Sequence, residues 1–253
     1  MEKDLPKRLV TSNRYMVRLA ESESEVRQAQ SLRYRVFNLE LNEGLEQSHE
    51  DELDVDKYDL QCDHLLVVER DTEQVIGTYR MQTYRTAIKS EGFYTAAEFD
   101  LSILPEEILN KSVEVGRACI HKEHRNGRVL YLLWRGIAEY MKLTESRYLF
   151  GCCSISGTDP ATGWAVMDYL RNNDYLHEKY YLDTKAEFYC PEIVHNDKDS
   201  NDIKLPQLFR LYLDLGARTL SKPALDEDFK TIDILVLLDV NQLDERSRAL
   251  FFK

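Results

Sequence analysis

Val113-Glu-Val-Gly-Arg-Ala-Cys-Ile120 runs into His121-Lys-Glu-His-Arg-Asn-Gly-Arg128, and that into a stretch from about Val129 to Lys142. The first piece reads as a strand, the second as a polar, basic loop and the third as a helix. A strand feeding a loop and then a helix N-terminus makes an anion site. The first backbone N–H groups of the helix have no partner within it, and its dipole favours negative charge there. Between Arg117 and Arg135 lie five basic residues, Arg117, Lys122, Arg125, Arg128 and Arg135, against one acid, Glu123. In a chain of net charge -12 this is the one strong positive island. It is either a solvated helix-start face or a grip for a phosphate that faces an acidic partner.

Glu114 and Arg117 are three positions apart, so on an ideal strand they point to opposite faces. A bulge would bring them to one face, and Gly116 between them is a typical bulge residue. A bulge also takes backbone N–H groups off the ladder, where they can bind a carbonyl oxygen as it becomes an oxyanion. The alternative is a structural ion pair.

Working outward, Arg14 to Leu19 reads as a first strand, and Ser22 with Glu25 as a capping box. The helix behind that cap has apolar residues at Val26, Ala29, Leu32 and Val36. Residues 43 to 59 form an acidic loop. His64–Arg70 and Val75–Met81 flank the turn Asp71–Gln74 as a hairpin. A mixed segment spans 86 to 111. Tyr148–Ser154 is a further strand, and Asp159-Pro160 starts a helix that runs to about Asn172. Pro206 to Leu215 is a short helix stopped by Gly216, and Thr231 to Val240 is the last strand. Hairpins plus one helix-joined strand pair predict an α/β fold. Its sheet should be mixed and largely antiparallel, with helices on both faces. The chain reads as one domain over residues 1–253. The irregular, polar stretch 173–204 marks where a C-terminal lobe would begin.

Apolar residues make up 43% of the 253 and charged residues 31%, enough for a core and too ordered a composition for bulk disorder. With 33 basic and 45 acidic residues the chain is a poor binder of phosphate backbones, which excludes general nucleic-acid binding. Met1–Arg8 lacks the apolar run of a secretory signal, and no stretch nears the ~20 apolar residues of a bilayer span. The expected location is cytoplasmic, with at most peripheral contact at the inner face of a membrane. The five cysteines, Cys62, Cys119, Cys152, Cys153 and Cys190, show no C-x-x-C spacing and read as reduced, buried thiols. No metal is expected. His64, opening a strand, reads as a hydrogen-bonded structural residue.

Arg33, Asp56, Asp59 and Arg80 are a further constellation, with Phe37 one helical turn beyond Arg33. They form either a pocket for a zwitterion or an ion-pair lattice that pins the loop to the sheet, and composition favours the lattice. At these residues the sequence resembles a known family. Leu32-Arg-Tyr-Arg-Val-Phe37, Asp56-Lys-Tyr-Asp59, Gly77-Thr-Tyr-Arg80 and Glu114-Val-Gly-Arg117 follow the order of acyl-homoserine-lactone synthases. The remainder is similar to the ornithine N-acyltransferases that make lyso-ornithine lipid. It includes Cys62-Asp-His-Leu-Leu66, Phe93-Tyr94 with Glu98-Phe-Asp100, Leu133-Trp-Arg-Gly136, Gly151-Cys-Cys-Ser154, Gly157-Thr-Asp-Pro160 and Phe229 through Asp233.

The resemblance implies a GNAT-like fold, a lipid-biosynthesis transferase, an acyl carrier protein as partner and an amino-acid acceptor. The donor it implies is an acyl-phosphopantetheine, with no bound cofactor. It also carries the autoinducer synthases' charged cluster onto this chain, with Arg33, Phe37, Asp56, Asp59 and Arg80 as substrate-binding residues and Glu114 and Arg117 as catalytic ones, and leaves the acceptor open. Arg125-Asn-Gly-Arg-Val-Leu130 departs from the coenzyme A loop of GNAT acetyltransferases, having one glycine and a different spacing. That departure fits a carrier-protein arm, with Arg125, Gly127 and Arg128 gripping its phosphate. The expected chemistry is direct transfer, with Glu114 as base for the amine. If the acceptor is ornithine, its second ammonium needs a carboxylate, for which the acidic loop is the expected source. The rivals are the same reaction on glycine or another amino acid, an autoinducer-type synthase, and a non-catalytic module that binds an acylated carrier.

Overall fold

The computed structural model describes residues 8–193 and 203–252. Nine strands form one sheet in the order β1-β2-β3-β4-β5-β6-β9-β7, with β8 also on β9. They are β1 (Arg8–Thr11), β2 (Tyr15–Leu19), β3 (Asp63–Glu69), β4 (Val75–Thr83), β5 (Ser112–Ile120), β6 (Tyr148–Ser156), β7 (Arg218–Thr219), β8 (Ala224–Asp226) and β9 (Thr231–Asp239). All pairings are antiparallel except β5 with β6. The helices are α1 (Glu23–Tyr34), α2 (Ser48–Asp51), α3 (Tyr84–Ala87), α4 (Thr95–Glu98), α5 (Glu106–Leu109), α6 (Gly127–Leu143), α7 (Pro160–Asn172), α8 (Gln207–Asp214) and α9 (Glu245–Phe251).

Local chemistry places these elements. Ser22 caps α1 by accepting from the Glu25 amide, while Glu25 turns back to the Glu21 amide and to Arg18. Asp159 caps α7 ahead of its first-turn proline, and α8 ends before Gly216 at φ 92°. A π-helix, Arg35–Glu40, continues α1 and carries Phe37 into a buried edge contact with Phe229, ring centroids 5.5 Å apart. Strand β1, that π-helix and α9 were absent from the sequence reading.

The sheet has two differently used faces. One is covered by α6, α7, α8 and α9 over a core that includes Val113, Val115, Leu149, Cys153, Ile234 and Val236. The other carries α1, against Leu66, Val68 and Cys119, and the segment with Phe93, Phe99 and Leu104. It is this second face that holds the polar side chains described below. β9 pairs with β6 over nine positions, Tyr148↔Asp239 to Ser156↔Thr231, so the chain beyond residue 173 is built into the same sheet. Residues 194–202 of the supposed boundary, and 1–7 of the terminal stretch, lie outside the described residues.

Candidate active site

The site begins with a parting of strands. β5 and β6 pair only at Ser112↔Tyr148, Val113↔Leu149 and Glu114↔Phe150, although β5 runs on to Ile120 and β6 to Ser156. A narrow cleft opens there, with about 60 Å³ of room for water and with β5 residues Glu114–Arg117 on one side and Cys152 and Ser154 of β6 on the other. Arg80, Gln82, Tyr94, Phe229 and Asp233 complete its wall.

The expected bulge lies in β5, one residue further on than expected. β4 pairs Arg80 with Gly116 and Thr78 with Cys119, so two β5 residues oppose one on β4. The left-handed backbone falls on Arg117, at φ 50°, and not on Gly116. The extra residue shifts the strand's alternation: Val113 and Val115 face the α6 core, while Glu114, Arg117 and Cys119 share the other face. Gly116 has no atom within 4 Å of where a Cβ would stand, so its bare backbone keeps the cleft floor open.

Arg33, Asp56, Asp59 and Arg80 do come together, as a lattice joined by Asp54 and Arg117. Arg33 reaches Asp54 Oδ2 at 2.7 Å and the two oxygens of Asp59 at 2.9 and 2.8 Å, and it also donates to the Asp54 carbonyl. Arg80 reaches Asp56 at 2.6 Å and Asp59 at 3.0 Å. Arg117 is held less closely, 3.2 Å from Asp56 and 3.5 Å from Asp54, and its Nε has no hydrogen-bond partner. Its guanidinium lies over the rings of Phe229 and Tyr94, at 4.2 and 5.1 Å. Burial pushes Asp56 and Asp59 up, but the arginines outweigh it and hold both carboxyls below the usual range. His64 braces the lattice through a 3.0 Å contact from Nε2 to the Asp59 carbonyl. Asp54, Asp56 and Asp59 of the acidic loop are thereby committed to arginines, whereas the buried Glu43 accepts from the Ser156 hydroxyl.

Glu114 lines the cleft and is 5% exposed. Oε1 accepts from the Thr95 amide at 2.8 Å and the Thr95 hydroxyl at 2.7 Å. Oε2 accepts from Gln82 Nε2 at 2.6 Å and the Tyr94 amide at 3.0 Å. Four donors fill the carboxylate's lone-pair sites, so in this arrangement Glu114 fixes the start of α4 and has none to spare for a proton.

Residues 32–135 match the family described as Acetyltransferase (GNAT) domain. The chain is 34% identical over 242 residues to the L-ornithine N(alpha)-acyltransferase of Agrobacterium fabrum, across 90% of this chain and 82% of the relative. It is 31% identical over 246 residues to that of Rhodobacter capsulatus, across 94% of each. The chain belongs to the L-ornithine N(alpha)-acyltransferase family. Two solved structures share the fold. FeeM, an N-acyl amino acid synthase from uncultured soil microbes, has TM-score 0.53 at 13% identity over 90% of this chain and 92% of FeeM. The AHL synthase LasI has TM-score 0.51 at 12% identity over 95% and 96%.

The chain is an acyltransferase of this family, with a GNAT-like fold, and the three residues expected on the donor side, Arg125, Gly127 and Arg128, stand at the mouth of α6. Asn126 caps that helix by accepting from the Arg128 and Val129 amides, so part of the expected anion site is filled from within. Arg125 is engaged by both Glu40 oxygens and donates to the Ile120 carbonyl at 2.9 Å. Gly127 opens the helix with nothing near its Cα face, and Arg128 is exposed. None of these three lines the cleft. No helix among the described residues is long and apolar enough to cross a membrane.

The cleft thiols are protonated: burial pushes Cys62 up to about 12 and Cys152 well above its ordinary value. Glu98, Cys152 and Asp233 place ligand-type atoms within 4.8 Å of one another. Glu98 and Asp233, like Asp54, Gln82, Tyr94 and Phe229, were not singled out by chemistry in the sequence. Most stand inside stretches that carry the family resemblance, which was the one signal pointing to them.

Proposed function

We propose that this acyltransferase moves a (3-hydroxy)fatty acyl group from acyl carrier protein to the α-amine of L-ornithine, giving lyso-ornithine lipid. The observation that carries this reading is the opening between β5 and β6, where a thioester arm can lie along a strand edge beside a charged acceptor cleft. Backbone N–H groups of β5 beyond Glu114, off the β6 ladder, would receive the oxyanion. Arg117, the loosest member of the lattice, would take the acceptor carboxylate. Arg33, Asp56, Asp59 and Arg80 would keep it in place, with Phe37 packed behind through Phe229.

Glu114 would accept the amine proton, directly or through one water. That requires one of its four donors to yield, and Gln82 is the one supplied by a side chain without a backbone tie to α4. On the donor side, Arg128 and Gly127 at the α6 mouth would meet the pantetheine phosphate, with Arg125 joining once it leaves Glu40. The loop's single glycine and its spacing support a carrier-protein arm over free coenzyme A, and its basic residues suit an acidic carrier. Contact with a membrane would be peripheral. The test is direct: incubate the protein with 3-hydroxyacyl carrier protein and L-ornithine, and look for the amide by mass spectrometry. Amide with release of the carrier thiol is expected. A stable complex with no thiol released would make the chain a binding module.

A further inference from the structure

The charges around the cleft are unevenly matched. On the Arg117 side three arginines, Arg33, Arg80 and Arg117, meet three aspartates, Asp54, Asp56 and Asp59. On the other side Asp233 lines the cleft, with Glu98 and Asp226 crowding it from behind the wall, and the guanidinium acting on the two aspartates is Arg117, already paired elsewhere. Glu98 and Asp233 are 1% and 3% exposed. Tyr94 acts on Glu98, and Ser154 and Thr231 on Asp233, yet Glu98 Oε1 and Asp233 Oδ1 have no hydrogen-bond partner. Other buried oxygens here are also unpartnered, but these two belong to neighbouring carboxyls with ligand-type atoms within 4.8 Å of each other, where a ligand can supply the donors. Asp233 lines the cleft with Cys152, whose Sγ lies 3.5 Å from Glu98 Oε2. Burial, then Asp233 and Asp226, push the Glu98 carboxyl well above its ordinary value. Burial and Asp226 push Asp233 up to about 6, against a hydrogen bond from Ser154. Both are the signature of carboxyls lacking a cation.

We propose that Asp233 and Glu98 form a pocket for the side-chain ammonium of the acceptor, selecting a diamino acid over a neutral one. The inference rests on the proposed transfer to an amino-acid amine and deepens it by naming the specificity residues. An ammonium carries three donors, enough for Oε1 of Glu98 and Oδ1 of Asp233 together. Of the acidic loop, Asp54, Asp56 and Asp59 already hold arginines, and Glu43 is bonded to Ser156 and does not line the cleft. With the acceptor carboxylate at Arg117 and its side-chain ammonium at Asp233, the reacting amine is left to the Glu114 side of the cleft.

The test compares L-ornithine with L-norvaline, which has the same carbon chain without the side-chain ammonium, using one 3-hydroxyacyl carrier protein as donor. The wild type is expected to favour ornithine in kcat/KM by roughly 10⁴-fold, because a site built to pair a polar group rejects the analogue lacking it. In Asp233→Asn and Glu98→Gln the ornithine value should fall toward that of norvaline, while norvaline turnover stays within about two-fold. Norvaline turnover also reports that each variant is folded. A wild type that acylates both acceptors alike overturns the pocket and leaves the transferase reading standing. Equal loss for both acceptors in both variants overturns it too, assigning the pair to chemistry or structure. So does loss of activity to a chelator that is reversed by zinc, which would give the cluster to a metal. A wild type that makes no amide from either acceptor removes the parent reading and the pocket together.

Discussion

Arg33 and Glu114 are both buried, charged and fully partnered, yet their substitution should have opposite consequences. Arg33 stands between Asp54 and Asp59 at 2.7 and 2.8 Å. Arg33→Met would leave two buried carboxylates without their nearest cation, and breaking a buried pair from one side costs about 3–5 kcal/mol. The unfolding free energy from urea titration should drop by that amount, lowering the midpoint by about 1–3 M, and activity should fall in step with the folded fraction. Glu114→Gln keeps the side chain's shape but sets an amide nitrogen against donors that now face an acceptor. The fold should survive with a modest loss, while kcat falls by about 100-fold or more if Glu114 removes the proton. Turnover should then recover as pH rises, since more of the amine is already neutral. A folded Gln variant with full turnover at neutral pH takes the base role away from Glu114.

At the scale of elements, the vertex of the β5–β6 opening is held by a glycine. A Cβ on Gly151 would sit 2.1 Å from the Val115 carbonyl oxygen, beside the last ladder pair, Glu114↔Phe150. Gly151→Ala must push the strands apart at the vertex. The expected result is a loss of about 1–3 kcal/mol, the usual cost of overpacking, and a lower affinity for donor at the cleft. A Gly151→Ala protein with unchanged thermal midpoint and donor KM would show that the vertex is not a tight contact in solution. The strand–loop–helix unit from Val113 to Lys142 was legible in sequence because its signals are local: alternation, a polar loop, an N-cap asparagine. The bulge was legible as a need, Glu114 and Arg117 on one face, but its position was not. Gly116 has the glycine's freedom, yet the left-handed residue is Arg117, whose ion pairs and contact with Phe229 offset a strain of order 1 kcal/mol. The π-helix and α9 escaped for another reason. Both are short, and tertiary packing of Phe37 and Phe251 fixes them more than propensity does.

For the molecule as a whole, the two charged groupings give stability opposite dependences on pH. The lattice was readable as pairs of opposite sign, whereas the Glu98–Asp233 pair joins α4 to β9 across more than a hundred residues and could only be seen once folded. Asp56 and Asp59 have folded-state values below their unfolded ones, so their contribution is present above the unfolded value and lost as pH falls through the folded one. Asp233 is the reverse. Its folded value, about 6, lies above the ordinary 3.8, so its protonated form favours the fold at low pH and that advantage is lost as pH rises to and beyond 6. Glu98, raised by burial and by Asp233 and Asp226, adds in the same direction. Two pH units correspond to about 3 kcal/mol at most. Asp233→Asn, which has no charge to bury, should therefore match the wild type near pH 4 and exceed it by up to that amount near pH 8. In a thermal scan this is several degrees for a chain of this size. L-Ornithine should narrow the gap at pH 8 by pairing with Asp233 in the wild type, and L-norvaline should not. Thermal midpoints for both proteins from pH 4.5 to 8 decide the matter: parallel curves would mean that the Asp233 carboxyl ionises without cost, and so already has a cation beside it.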